Sequence, residues 1–161
     1  MTTTFQNLTF TLTDDPSPDQ CEAINQRIKA FNNKHSPHHL AVRSTGTQPL
    51  NLFLHNTHGE LVGGLTAATA WQWLLIHDFW LAPHLRHLGH GRRLLDQAER
   101  EAARRHCLRA QLKTFSFQAR DFYQKQGYRV VGEMTDYPPG ASFYWLRKDW
   151  DPATRLAQPE L

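Results

Sequence analysis

The stretch Arg86-His87-Leu88-Gly89-His90-Gly91-Arg92-Arg93 decides how this chain of 161 residues is read. Before it, Trp71 to Leu81 is an almost unbroken apolar run, the pattern of a strand covered on both faces. After Pro83 the period changes. Leu88, Leu94, Leu95 and Ala98 fit a helix from about Gly89 to His106, with Arg92, Arg93, Glu99, Arg100, Glu101 and Arg104 on its outer face. Two glycines at i and i+2 let backbone N–H groups converge without Cβ interference. The first-turn amides of a helix have no intrahelical partner, and the helix dipole adds positive character. Strand, Gly loop and helix together therefore form an anion cradle suited to phosphate. Two known phosphate motifs do not fit. A Walker loop requires Gly-Lys-Ser/Thr, and a dinucleotide fingerprint requires a third glycine where Leu94 stands. The plain alternative is that Gly89 and Gly91 only turn the chain into the helix.

Working outward, Leu8 to Thr13 alternates apolar and hydroxyl residues and predicts a half-buried strand, broken by Asp14 to Pro18. Ser17 or Asp19 caps a helix through Asn33, with Cys21, Ile24, Ile28 and Phe31 as its apolar stripe. His35 to His39, around Pro37, reads as a loop. Leu50 to His55 and Glu60 to Ala70 are strands joined by the turn Asn56-Thr57-His58-Gly59, and Gly63-Gly64 marks a bulge or close approach. Leu108 to Phe115 is a strand, Ala119 to Gln126 a short helix stopped by Gly127. Tyr128 to Met134 and Phe143 to Leu146 are strands flanking the Tyr137-Pro138-Pro139-Gly140 loop. The expected order is β-α-β-β-β-α-β-α-β-β: one α/β domain over residues 1–150 with a mixed, mostly antiparallel sheet, then a frayed tail over 151–161.

Composition bounds the reading. Forty per cent hydrophobic and 20% charged residues argue against disorder, and a net charge of +3 is far from that of a polycationic arm. Two cysteines, Cys21 and Cys107, make neither a disulfide framework nor a Cys-rich zinc module. No signal peptide or membrane-length apolar run is visible, so a cytoplasmic protein without a membrane partner is expected. The arginines of the helix are balanced by Glu99 and Glu101, which argues against a nucleic-acid partner. His84, His87 and His90 recur at spacings of three, but in an irregular stretch, so they read as solvated or phosphate-facing rather than metal-binding.

Two motifs carry a family resemblance. Arg86-x-x-Gly89-x-Gly91 resembles the Arg/Gln-x-x-Gly-x-Gly/Ala signature of the GNAT superfamily of acyl-CoA N-acetyltransferases. Downstream, Ala119-Arg-Asp-Phe122-Tyr123-Gln-Lys125-Gln-Gly127-Tyr128 is similar to that family's Ala-x-x-Phe-Tyr-x-Lys-x-Gly-Phe/Tyr segment. The expected element order also matches.

The resemblance implies acetyl-CoA as co-substrate. Its pyrophosphate would lie on the amides of His87, Leu88, Gly89, His90 and Gly91, with Arg86, Arg92 and Arg93 nearby. Its pantetheine arm would run beside Phe79, Trp80 and Leu81, where two strands of the family fold splay and leave backbone groups in need of partners. Tyr123 matches the family's general acid, which protonates the departing thiolate, although packing with Phe122 and Tyr128 would also explain it. Many members carry Asn seven residues before this tyrosine; Ser116 stands there and reaches less far. The base that deprotonates the incoming ammonium is open among His77, Asp78, Glu133 and water. Strand alternation puts His77 on the side of Phe79 and Leu81 and Asp78 on the other. Trp71 is the tryptophan best placed by sequence to line an acceptor site. The expected reaction is direct attack of an unidentified primary amine on the thioester, and the resemblance leaves room for a homodimer. A toxin-like enzyme acting on aminoacyl-tRNA and a non-catalytic acyl-CoA-binding module are the alternatives.

Overall fold

A computed structural model of the chain describes residues 2–5 and 8–158. It divides the chain into two compact units, Met1–Ser44 and Thr45–Leu161.

In the first unit, β1 (Thr2–Phe5) and β2 (Leu8–Thr11) form a two-stranded antiparallel sheet. The strand expected at Leu8 to Thr13 thus ends at Thr11 and pairs only with β1, outside the larger sheet. Helix α1 (Pro18–His35) starts at Pro18, whose missing N–H costs nothing in a first turn. Helix α2 (Pro37–Thr45) replaces the expected loop. Its start has a local cause: Ser36 Oγ accepts from the His39 amide at 3.3 Å, and Pro37 presets the first helical φ.

The second unit is built on a six-stranded sheet in the order β3-β4-β5-β6-β8-β7. Its strands are β3 (Gln48–His55), β4 (Leu61–Ala70), β5 (Trp73–Leu81), β6 (Arg109–Phe115), β7 (Arg129–Thr135) and β8 (Ser142–Asp149). All neighbours are antiparallel except β5 and β6, which are parallel. This is the mixed, mostly antiparallel α/β arrangement expected from the sequence. A 3-10 turn (Pro83–Leu85) leads from β5 to α3 (His90–Arg104), which packs over β3, β4 and β5. Leu95, Ala98 and Ala102 of α3 meet Leu50, Leu65, Ala67, Leu74 and Ile76 of the sheet in the core. Helix α4 (Arg120–Lys125) lies against β7.

Residues 152–157 are ordered as helix α5 (Pro152–Ala157), where a frayed tail was expected. Asp151 Oδ1 caps it by accepting from the Thr154 amide at 2.8 Å, and Pro152 follows the cap. Its Arg155 is 6% exposed and bonds Asp96 at 2.5 Å and Glu99 at 3.1 Å on α3. Lys148 reaches Glu99 at 2.6 Å, and Arg100 reaches Asp96 at 2.9 Å. Glu99 and Arg100 are therefore buried, not on the outer face of the helix. Burial alone would raise the Asp96 carboxyl; Arg155 and Arg100 outweigh it and hold the group below the usual carboxylate range.

Removing one partner from a buried ion network strands the others, at a cost of about 3–5 kcal/mol. Arg155→Met is accordingly expected to lower the unfolding free energy by that order. Urea titration reads it, and a change within the error of the measurement would show that α5 is not holding Asp96 and Glu99 in solution.

Candidate functional site

Strands β5 and β6 are paired only at Trp73–Arg109, Leu74–Ala110 and Leu75–Gln111. From Ile76 onward β5 keeps its β4 partner but loses its β6 partner, while β6 continues to Phe115 beside β8. The two parallel strands therefore diverge into an opening that widens toward Leu81 and Phe115. Strand backbone in such a place carries N–H and C=O groups with no ladder partner, and these seek a ligand or water.

Three features hold the opening. The first is a bulge: Thr66 pairs with Asp78 and Ala67 with Ile76, so His77 is an extra residue in β5. The bulge shifts the strand's alternation. Leu74 and Ile76 face the core before it, and Phe79 packs on the same core after it. His77 is exposed, and Asp78 accepts from Thr66 Oγ1 at 2.9 Å on the opposite face. The even alternation that would put His77 with Phe79 and Leu81 is thus broken at His77 itself. Trp80 is exposed, and its position one residue from Phe79 and from Leu81 puts it on the face opposite them.

The second feature is the glycine loop. Gly89 has φ +86°, a left-handed conformation, and a Cβ there would meet nothing within 4 Å. Gly91 is buried against the end of β5: a Cβ would lie 3.2 Å from Leu81 Cδ1 and 3.4 Å from Phe122 Cζ. The first backbone bond of α3 runs from the Arg93 amide to the Gly89 carbonyl at 3.1 Å. The amides of His90, Gly91 and Arg92 precede it, so they have no intrahelical partner. His87, Leu88, Arg92 and Arg93 are exposed around this turn. Arg86 is exposed too, but its Nε donates to the Leu81 carbonyl at 3.1 Å, so the side chain also clamps the end of β5.

The third feature is α4. Tyr123 is 7% exposed, with ring centroids 6.4 Å from Phe79, 5.2 Å from Phe122 and 5.9 Å from Tyr128. Burial pushes its phenol up to about 12. Tyr128 is pushed well above the usual value, by burial first and then by the Glu99 carboxylate. Ser116 Oγ accepts from the Ser142 amide at 3.1 Å, a bond that leaves its hydroxyl proton unused.

Other expected positions lie apart. Trp71 sits with Gln72 in the two-residue turn between β4 and β5, both at positive φ. At about 3.3 Å per strand residue it is roughly 30 Å from Leu81, past the paired ends of β5 and β6. Glu133 pairs with Tyr144 on β7, with β6 and β8 between it and β5. Among the described residues, no group of three metal-ligating side chains converges. None of the described helices is long and apolar enough to cross a membrane.

The cleft can accept an extended, amide-bearing ligand along β5 with an anionic end at the α3 N-terminus. The chain is similar to several known proteins. The profile of the Acetyltransferase (GNAT) family matches residues 13–128. Blasticidin-S acetyltransferase of Streptomyces morookaense is 36% identical over 130 residues, covering 76% of this chain and 96% of that protein. The crystal structure of an acetyltransferase from Bacillus cereus superposes with a TM-score of 0.75 at 28% identity, covering 86% of this chain and 97% of that one. An acetyltransferase from Bacillus anthracis solved with acetyl coenzyme A has a TM-score of 0.57 at 21% identity, covering 65% and 64%, a likeness of fold.

The buried tyrosine has a thermodynamic consequence. An unfolded tyrosine ionises near 10, whereas Tyr123 in the fold does so at about 12. Between those values the unfolded chain releases its proton first, so stability is full below pH 10 and falls as pH rises toward 12. Tyr123→Phe should flatten this decline, with Tyr128 supplying the remainder. Urea unfolding from pH 8 to 11.5 measures it; the same slope in both proteins would show that the Tyr123 phenol is not shielded from water.

Proposed function

Because the chain belongs to the acetyltransferase (GNAT) family, we propose that it carries the acetyl group of acetyl-CoA to a primary amine by direct attack. The observation that carries this reading is the β5/β6 opening, with the α3 amides at its rim and the Tyr123 phenol buried beside it. The residues fit the co-substrate: a Cβ at Gly91 would crowd the rim, and nothing lies within 4 Å where a Cβ at Gly89 would stand. Acetyl-CoA supplies the acetyl group as a reactive thioester.

The chain supplies position and protons. Amides at the start of α3 hold the diphosphate, with Arg86, Arg92 and Arg93 adding charge. The unpaired edge of β5 over Phe79, Trp80 and Leu81 bonds the pantetheine amides through its backbone, and a backbone N–H near Leu81 faces the developing oxyanion. Ser116 contributes its hydroxyl proton from the far side. Tyr123, kept protonated by burial, donates to the departing thiolate. His77, exposed at the bulge, takes the ammonium proton directly or through water, with Asp78 beside it. Glu133 is disfavoured by the two strands that separate it from β5. Cys107 is buried in the core and does not serve as an acyl carrier.

One relative suggests an acceptor class. The Streptomyces morookaense relative is a blasticidin-S acetyltransferase, and we take a small amine of antibiotic type as the leading acceptor for this chain.

Two variants test the reading. Gly89→Glu directs a carboxylate into the space in front of the α3 amides and should abolish acetyl-CoA binding by calorimetry; Gly89→Ala controls for the left-handed strain, about 1–2 kcal/mol. Normal binding by the glutamate variant would remove the loop from the diphosphate site. Tyr123→Phe should lower kcat by roughly a hundredfold or more with little change in KM, read by thiol release. An unchanged kcat when chemistry limits turnover would take Tyr123 out of the reaction.

A further inference from the structure

Tyr123 can act as an acid only if its phenol is held toward the opening. Three rings surround it. Phe79 and Phe122 are hydrocarbon, only partly buried, and held by packing. The third, Tyr128, is 3% exposed and meets the Tyr123 ring at 5.9 Å between centroids and 65° between planes. Backbone ties this pair as well: the Tyr128 amide donates to the Tyr123 carbonyl at 3.0 Å, across the turn that ends α4.

Tyr128 alone of the three carries a polar handle. Lys148 Nζ lies over its ring, 5.6 Å from the centroid. The same ammonium donates to Glu99 Oε2 at 2.6 Å, and Arg155 donates to that oxygen at 3.1 Å. The other carboxylate oxygen, Glu99 Oε1, has no hydrogen-bond partner among the described residues, and neither has the Tyr128 hydroxyl. Both side chains are buried; after burial itself, the Glu99 charge is what raises the Tyr128 phenol, so the two groups are neighbours. The fold thus brings a proton to donate close to a carboxylate oxygen with nothing to accept. Either group buried without the other would cost free energy. Phenylalanine at 128 would fill the same volume with no hydroxyl to satisfy, so packing explains the ring but not the phenol.

We infer that Tyr128 is a positioning residue for Tyr123: its hydroxyl is anchored on Glu99 Oε1, its ring is held under Lys148, and this fixed ring aims the Tyr123 phenol at the opening between β5 and β6. Glu99 is thereby the reference point for both halves of the site. It lies on α3, whose first amides form the cradle, and through Tyr128 it reaches α4, which carries the acid. The positioning role deepens the acid role proposed for Tyr123 and rests on it.

Tyr128→Phe keeps the ring and removes the anchor. It should lower kcat about tenfold, as a small misplacement of a reacting group does, and leave the KM for acetyl-CoA within about twofold. In a Tyr123→Phe background the same substitution should change kcat by less than about twofold, because the residue it positions no longer gives a proton. An unchanged kcat in the parent protein would overturn the inference. So would an equal loss in both backgrounds, which is what a general effect on the fold produces. If Tyr123→Phe alone left kcat unchanged, the acid reading would fall, and the positioning is then read without turnover, by NMR of ring-labelled tyrosine. Tyr128→Phe should speed the ring flips of Tyr123 by about tenfold or more, and an unchanged flip rate would overturn the inference by itself.

Discussion

The second unit depends on a sheet that is deliberately incomplete. Three residue pairs join β5 to β6, and beyond them the strands part. A parting strand exposes polar backbone, so it must be forced open and kept open by side chains that will not let it close. Gly91 allows the first turn of α3 to press on Leu81, Arg86 ties down the Leu81 carbonyl, and Phe122 and Tyr123 fill the core-side wall below Phe79. The bulge at His77 turns the strand so that Phe79 meets this wall while Asp78 and Trp80 turn to the other side. Each device supports the same geometry, and the glycine loop has value only because β5 ends where α3 begins.

The position of α3 is in turn fixed from behind. Asp96 and Glu99 lie two and three turns from the glycine loop and are gripped by cations from β8 and α5. Such a network is a poor source of net stability, since desolvating its charges offsets most of the attraction. Its effect is directional. Bonds from Lys148 and Arg155 resist rotation of the helix in a way that a greasy contact does not. A small rotation of α3 would swing the amides of His90, Gly91 and Arg92 away from the opening.

What was legible in the sequence follows the range of the interactions. The glycine loop and the Phe122-Tyr123 segment were readable because strand, turn and helix signals fall within a few residues. Helices α2 and α5 were missed although each carries a local signal, a capping side chain followed by proline: Ser36-Pro37 and Asp151-Pro152. The expectation is instead a loop around Pro37 and a frayed tail after Trp150, because both stretches are short and carry little apolar periodicity. The burial of Glu99 and Arg100 was not readable, because their partners Lys148, Arg155 and Gln158 come from 49 to 58 residues away. Nor was the bulge, since nothing in Ile76-His77-Asp78 marks an extra residue; it appears only in register with Thr66 and Ala67.

The same division of range separates the two faces of the site. The α3 face is built from adjacent segments, residues 79–93 and 119–128, and its geometry is fixed by glycines and backbone amides. The opposite face is assembled from β5, the end of β6 and the loop before β8, and its character comes from exposed side chains. Substitution on this face leaves the close approach of Gly91 to Leu81 and the Arg86 clamp in place, so the two faces can change independently.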